Sequence, residues 1–431
     1  MDPAIITLCV LAIAAFLFIT ELIPLAVTAM AACTALGILG VLPSKAVYAG
    51  LSNSTVVLFG GMFVIGAAMF KTGLAEAIGV AVVKKAGTNE VPLMAAIMVV
   101  TIILSSVSSN TGTVACLMPV IIGICSVAKL SVSKQLMPLA IAANVGGTIT
   151  MIGTPPNVIV TGALTTAGLP TFGFFEFAWI GVPLSIVMVL YTLFVGRHFV
   201  ADKSAGAMDE DAIKAAKEEA GASDDGAPKS VVKMWIAGLI LIGVVLCMAL
   251  DLKTVPLHTA AVTGAILCVI TGCLKEKEAY AGIDWVTIFL FAGMLSVASA
   301  MEKTGAGKLI ADTVVSMMGT NPNPYVLTAV LFLISNVLTQ FMSNTASAAL
   351  LAPIGISIAQ SIGADPKPVL MALGIAASCA FATPMATPPN TLVLGPGGFS
   401  FNDYAKVGVP MCFISLIVCL IVIPIVWPFG M

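Results

Sequence analysis

The stretch Ser105-Ser-Val-Ser-Ser-Asn-Thr-Gly-Thr113 lies between two apolar arms, Val91 to Leu104 and Val114 to Val127, and its centre is written twice in the chain. Ser109-Asn110-Thr111 returns as Ser343-Asn344-Thr345, 234 residues later. Thr154-Pro-Pro-Asn157 returns as Thr387-Pro-Pro-Asn390 at 233, and Lys71-Thr-Gly73 returns as Lys303-Thr-Gly305 at 232. Phe59-Gly-Gly-Met62 pairs with Phe291-Ala-Gly-Met294, and Ile23-Pro-Leu25 with Val255-Pro-Leu257, both at 232. Ordered matches at one offset mean a duplicated half.

The surroundings of these motifs are those of a bilayer protein. Of the 431 residues 59% are hydrophobic and 9% charged, with mean hydropathy +1.10; a soluble domain carries about 25% charged residues. A formal net charge of −2 and a single arginine, Arg197, leave no basic field for nucleic acid. The 10 cysteines form no C-x-x-C pair and the histidines are only His198 and His258, so neither a zinc site nor a disulfide framework is indicated. The first apolar run lacks a basic leader and a cleavage site, and reads as a mature helix.

Apolar segments run Ile5 to Thr20, Ile23 to Leu42 and Val56 to Phe70. The two arms around the polar knot hold 14 residues each, about 21 Å as helix and short of a ~30 Å core, which fits a re-entrant hairpin over 92–127. Non-helical backbone at that depth is tolerated where it lines a protein or water cavity. A helix over 136–164 is interrupted by Gly146-Gly147 and Gly153-Thr-Pro-Pro156, and a last span runs from Trp179 to Val195.

Residues 198–232, with their acidic side chains, lysines and an Ala/Glu/Lys-rich stretch from Met208 to Ala220, read as a cytoplasmic linker with one surface helix. Spans then recur at Met234 to Leu250, Pro256 to Leu274 and Ile283 to Met301. A hairpin over 325–362, a broken helix over 369–395 and a last span from Val409 to Val426 follow.

The fold class expected is therefore an all-α polytopic membrane protein of two repeats, 1–197 and 233–431, each with five spans plus one hairpin. An odd number of crossings inverts the second copy. With the linker cytoplasmic, 14 of the 19 lysines and arginine fall inside and 5 outside, which places both termini outside.

Inverted repeats with paired interrupted helices point to a secondary transporter with its site at the midplane. Helix breaks leave free N–H groups suited to an anion and free carbonyls suited to a hard cation, and Ser, Asn and Thr add neutral oxygens and donors. No ionisable residue lies in either hairpin tip or either break, and a proton-coupled carrier keeps one at such a depth; Na+ is thus the expected coupling ion, with no other cofactor. Glu21 and Glu176, near helix ends, read as caps or lid contacts rather than proton carriers, and the two Phe-x-Phe motifs, Phe172-Gly-Phe174 and Phe399-Ser-Phe401, as interfacial packing. Lys71-Thr-Gly73 and its copy read as helix-end signals.

Paired Ser-Asn-Thr tips, each followed some forty residues later by Thr-Pro-Pro in a broken helix, resemble the divalent anion/sodium symporter family over essentially the whole chain. The resemblance implies a homodimer in the cell (inner) membrane, each protomer having a scaffold and a transport domain that slides as an elevator. It implies one sodium site at Ser105, Asn110 and the carbonyl of Gly153, and a second at Thr339, Asn344 and the carbonyl of Ala386. The substrate would lie between Asn110-Thr111 and Asn344-Thr345, closed by the Thr154-Pro155 and Thr387-Pro388 turns. Family members often carry an extra N-terminal helix, whereas this chain opens on the first repeat. The function expected is sodium-coupled import of a small divalent anion such as succinate, without covalent catalysis. The alternatives are a citrate or sulfate symporter, an oxyanion exporter or a sodium/proton antiporter.

Overall fold

The computed structural model describes residues 2–87, 89–200, 202–203, 230–250, 254–318 and 323–430. Most of the linker expected over 198–232, including its surface helix, lies outside the described residues. Between Pro3 and Phe199 there are nine principal helices: α1 Pro3–Thr20, α2 Leu25–Ile38, α3 Ser54–Lys71, α4 Leu74–Ala86, α5 Glu90–Ser105, α6 Asn110–Ala128, α7 Ser133–Gly146, α8 Pro155–Thr166 and α9 Ala178–Phe199. Among the described residues of the second half the series returns in order. It runs α10 Val231–Ala249, α11 Leu257–Ile270, α12 Trp285–Thr304, α13 Ala306–Met318, α14 Pro324–Thr339, α15 Asn344–Ser361, α16 Pro366–Ser378, α17 Pro388–Leu394 and α18 Phe401–Val426.

Among the described residues seven helices, α1, α3, α6, α9, α10, α12 and α18, are long and apolar enough to cross a membrane. This is a polytopic helical membrane protein.

Local chemistry sets the helix starts. Asp2, Asn53, Asp284, Asn323 and Asp365 cap α1, α3, α12, α14 and α16 with side-chain acceptors. Proline opens α8, α16 and α17, where its missing N–H costs nothing. For that reason α16 begins at Pro366, three residues before the expected start at Val369. Helix α7 begins at Ser133 rather than Leu136.

Two further differences concern length and number. Helix α6, expected as the second arm of a hairpin, is 19 residues long because Asn110 to Thr113 wind into its first turn and Ala128 ends it, so it exceeds the 14 apolar residues. Helices α4 and α13, one per half, had not been expected. Gly73 (φ 82°) caps the N-terminus of α4, and Gly305 (φ 75°) ends α12 and turns the chain into α13. Lys71-Thr-Gly73 and Lys303-Thr-Gly305 are thus helix-end signals.

The halves are packed through each other. Helix α2 lies along α12 and α3 along α11, while α5 packs on α7 and α14 on α16. The breaks cross over as well: α8 packs on α15 and α16, and α17 on α6 and α7. Phe18, Phe291, Phe332 and Tyr404 are fully buried in the apolar core, held by close packing rather than by escape from water, since lipid tails are as apolar as the core.

One part of this pattern is not repeated. Helix α12 packs on α8 and α15, whereas among the described residues the counterpart α3 has no comparable contact with α17 or α6.

Of the two carboxylates expected near helix ends, Glu21 is exposed and Glu176 is held in a bond network. Glu21 ends α1 in a left-handed turn, its N–H donating to Leu17 O at 2.9 Å. Glu176 accepts from Gly173 N (2.7 Å) and Trp427 Nε1 (2.6 Å) and pairs with Lys367 (2.7 Å). Burial pushes its pKa up, but the bonds from Lys367, Trp427 and Gly173 outweigh this and hold the carboxyl below the usual range. Asp403, at the matching place in the second half, accepts from Ser400 N (2.7 Å) and pairs with Lys203 (2.5 Å). Phe172, Phe174 and Phe399 of the neighbouring motifs are buried, whereas Phe401 is 46% exposed.

Candidate functional site

The polar groups of the first half converge where α5 ends and α6 begins. Ser105, fully buried on the last turn of α5, donates to Ala143 O at 2.8 Å and touches the Asn110 amide. Asn110 opens α6, whose N-cap Ser109 accepts from Gly112 N at 3.3 Å. The inward atom of the Asn110 amide lies 3.1 Å from Gly153 O and 3.2 Å from Ala143 O.

The nitrogen-inward orientation of that amide is the one its contacts satisfy. With nitrogen inward it donates to both carbonyls. With oxygen inward it completes a ring of Ser105 Oγ, Ala143 O and Gly153 O in which like partial charges face one another, an arrangement that a cation satisfies.

The second half repeats the geometry. Thr339, fully buried, places its hydroxyl 2.8 Å from Ala377 O and 2.5 Å from Asn344 Oδ1, with one proton to donate to either. Asn344 opens α15, and Ala386 is buried in the second break.

Two asparagines that no site reading had included hold the breaks open. Asn157 Nδ2 donates to Gly147 O (3.2 Å) and Thr150 O (2.9 Å). Asn390 Nδ2 donates to Ala380 O (3.0 Å) and Thr383 O (2.9 Å). Each replaces the helical bonds lost in its break, so carbonyls that would otherwise be orphaned in a dry interior are satisfied. Their recurrence in Thr-Pro-Pro-Asn was the available signal. The carbonyls of Ala143 and Ala377 left none, because a backbone oxygen is the same in every residue.

The structure thus brings Ser105, Asn110 and Gly153 together, and Thr339 with Asn344. Thr111 and Pro155 are half-buried, Thr154, Thr345 and Thr387 are buried, and Pro388 is exposed. Phe341 and Met385, beside the second tip and second break, are 65% and 63% exposed.

A helical membrane bundle with neutral oxygen clusters at paired helix breaks is an architecture of membrane transporters. The chain belongs to the citrate transporter family, whose family model (CitMHS) matches residues 15–368 and 347–429. An uncharacterized transporter of Haemophilus influenzae is 30% identical, over 96% of this chain and 89% of its own length. The sodium-dependent dicarboxylate transporter SdcS of Staphylococcus aureus is 28% identical over 95% of this chain and 84% of its own. The YdaH transporter of Alcanivorax borkumensis matches over 100% of both chains with a TM-score of 0.67 at 14% identity, a likeness of fold.

Proposed function

We propose that the protein is a sodium-coupled symporter that imports a small divalent anion, a C4-dicarboxylate such as succinate. The observation that carries this reading is the doubled cluster of a hydroxyl, an asparagine amide and break carbonyls, Ser105 with Asn110 and Thr339 with Asn344. Each would hold one sodium ion with neutral oxygens, Ser105, Asn110 and the Gly153 carbonyl in the first, Thr339, Asn344 and the Ala386 carbonyl in the second. The carboxylates would lie between Asn110-Thr111 and Asn344-Thr345. There the first turns of α6 and α15 offer N–H groups to an anion and the two bound cations supply the charge that no arginine does.

The reading includes two inverted repeats, a scaffold of α1–α3 and α10–α12, and a transport domain of hairpins and broken helices. In this topology α8 and α15 run in the outer half of the bilayer, α6 and α17 in the inner half. Packing of α12 on α8 and α15 without its counterpart on α17 and α6 then corresponds to an inward-open state. The exposure of Phe341 and Met385 fits the same opening. A homodimer in the cell membrane, a cytoplasmic linker and outward termini complete the proposal.

Uptake of labelled succinate into proteoliposomes, under an inward sodium gradient and under an equal potassium gradient, tests it. The native protein is expected to need sodium, and Asn110→Ala and Asn344→Ala to lose at least about ten-fold, the loss of about 1.4 kcal/mol of binding. Sodium-independent uptake, or variants that transport normally, would refute the site.

A further inference from the structure

We propose that Asn144 is a positioning residue that couples the two cation clusters, so that binding at one favours binding at the other. This rests on the sodium-coupled reading above. Asn144 is 1% exposed on the last full turn of α7, in the first half. Its Nδ2 reaches across to the second half, donating to Asn390 Oδ1 (3.0 Å), Thr387 Oγ1 (3.2 Å) and Ala380 O (3.5 Å). The residue before it, Ala143, supplies the carbonyl that Ser105 touches, and the residue before Thr387 is Ala386. One side chain therefore connects the residue after Ala143, in the first cluster, with the residue after Ala386, whose carbonyl the proposed function assigns to the second.

The bridge is made in one direction. At the offset of 234 that relates Ala143 to Ala377 and Ser105 to Thr339, position 144 corresponds to Ser378, which has no amide and donates to Gly374 O (2.9 Å) instead. Accordingly Asn390 Oδ1 has a donor, while Asn157 Oδ1 is buried without one among the described residues. The asymmetry shows that Asn144 is not needed to build a break, because the first break holds its shape with Asn157 alone.

Two N–H bonds face three acceptors, so a small shift of the last turn of α7 changes which pair Asn144 holds. A cation that draws in Ala143 O moves that turn. The amide then pulls on Thr387 and Ala380, which flank the carbonyl of Ala386. Coupling of this kind between sites changes affinity by about 5- to 150-fold, and the hydrogen-bonded chain supplies a physical connection for it.

The test is sodium titration of the full chain in two readouts, succinate uptake and sodium-dependent thermal stabilisation, for the native protein, Asn144→Ala and Thr387→Val. The native protein should respond cooperatively, with a Hill coefficient near two. Asn144→Ala is expected to lower it toward about one and raise half-saturating sodium about five-fold, with little change in melting without sodium.

Thr387→Val keeps Asn144 and its packing but removes one acceptor, and should lower the Hill coefficient in the same direction if Asn144→Ala fails to fold. Cooperativity that survives in a folded variant overturns the proposal while leaving sodium coupling intact. A native protein indifferent to sodium refutes the transport reading itself.

Discussion

Gly153 and Ala386 occupy the same place in the two halves, yet they differ by a methyl group with a physical consequence. A Cβ on Gly153 would lie 2.5 Å from Gly147 O, and one on Gly147 would lie 2.9 Å from the Asn110 amide. The first cluster is therefore closed around Asn110 with no room for a side chain, whereas Ala380 and Ala386 carry theirs in the second. Gly153→Ala is expected to strain the first cluster by about 1–3 kcal/mol, raising half-saturating sodium about ten-fold or more, while Ala386→Gly leaves it nearly unchanged. Sodium dependence of uptake reads the difference, and equal effects of the two changes would show that the clusters are equivalent. At this scale the sequence was informative where a polar side chain stands in an apolar run and recurs, as Asn110 and Asn344 do. It was silent on Ala143 and Ala377, which contribute carbonyls, and on Asn144, which does not recur.

Elements are held at their ends by carboxylates that never approach the clusters. Glu176, before α9, ties Lys367 at the start of α16 to Trp427 at the end of α18. Its folded pKa is depressed, so the stabilisation it gives is present above the unfolded pKa and is lost as pH falls through the lowered folded value. Glu176→Gln keeps an acceptor for Gly173 N but loses the charge facing Lys367. It should melt about 2 °C or more below the native protein at neutral pH, and the gap should close on acidification below the usual carboxylate range. A constant gap across that range would assign the stabilisation to packing. The same change should leave sodium-dependent uptake intact, as expected of a cap and not of a proton carrier. The long apolar helices and both breaks were legible because length, proline and glycine mark them. Helices α4 and α13 were not, because they are 13 residues each, too short to register as spans, and follow turns that read only as helix ends.

For the molecule as a whole, the two halves match in order and in most contacts but not where α12 packs on α8 and α15, and the sequence carries no mark of that difference. Repeated residues specify which helices can pack, while the position of one group of helices against another is a choice between arrangements of similar energy. A close contact of the present arrangement is between α8 and α12, where a Cβ on Gly162 would lie 2.3 Å from the Phe291 ring. A sliding transport domain must separate this pair on every cycle, whereas a fixed bundle with a local gate need not. Gly162→Cys with Phe291→Cys, in a background lacking the ten native cysteines, places two thiols there for a short bifunctional thiol reagent. Cross-linking is expected to reduce succinate uptake at least about ten-fold, a barrier of about 1.4 kcal/mol or more, and cleavage of the linker to restore it. The uncrosslinked double variant must itself transport for the loss to be read. Full uptake with the cross-link formed would mean that α8 and α12 stay together throughout. The alternation would then belong to the hairpin tips alone, which move without carrying the broken helices past the scaffold.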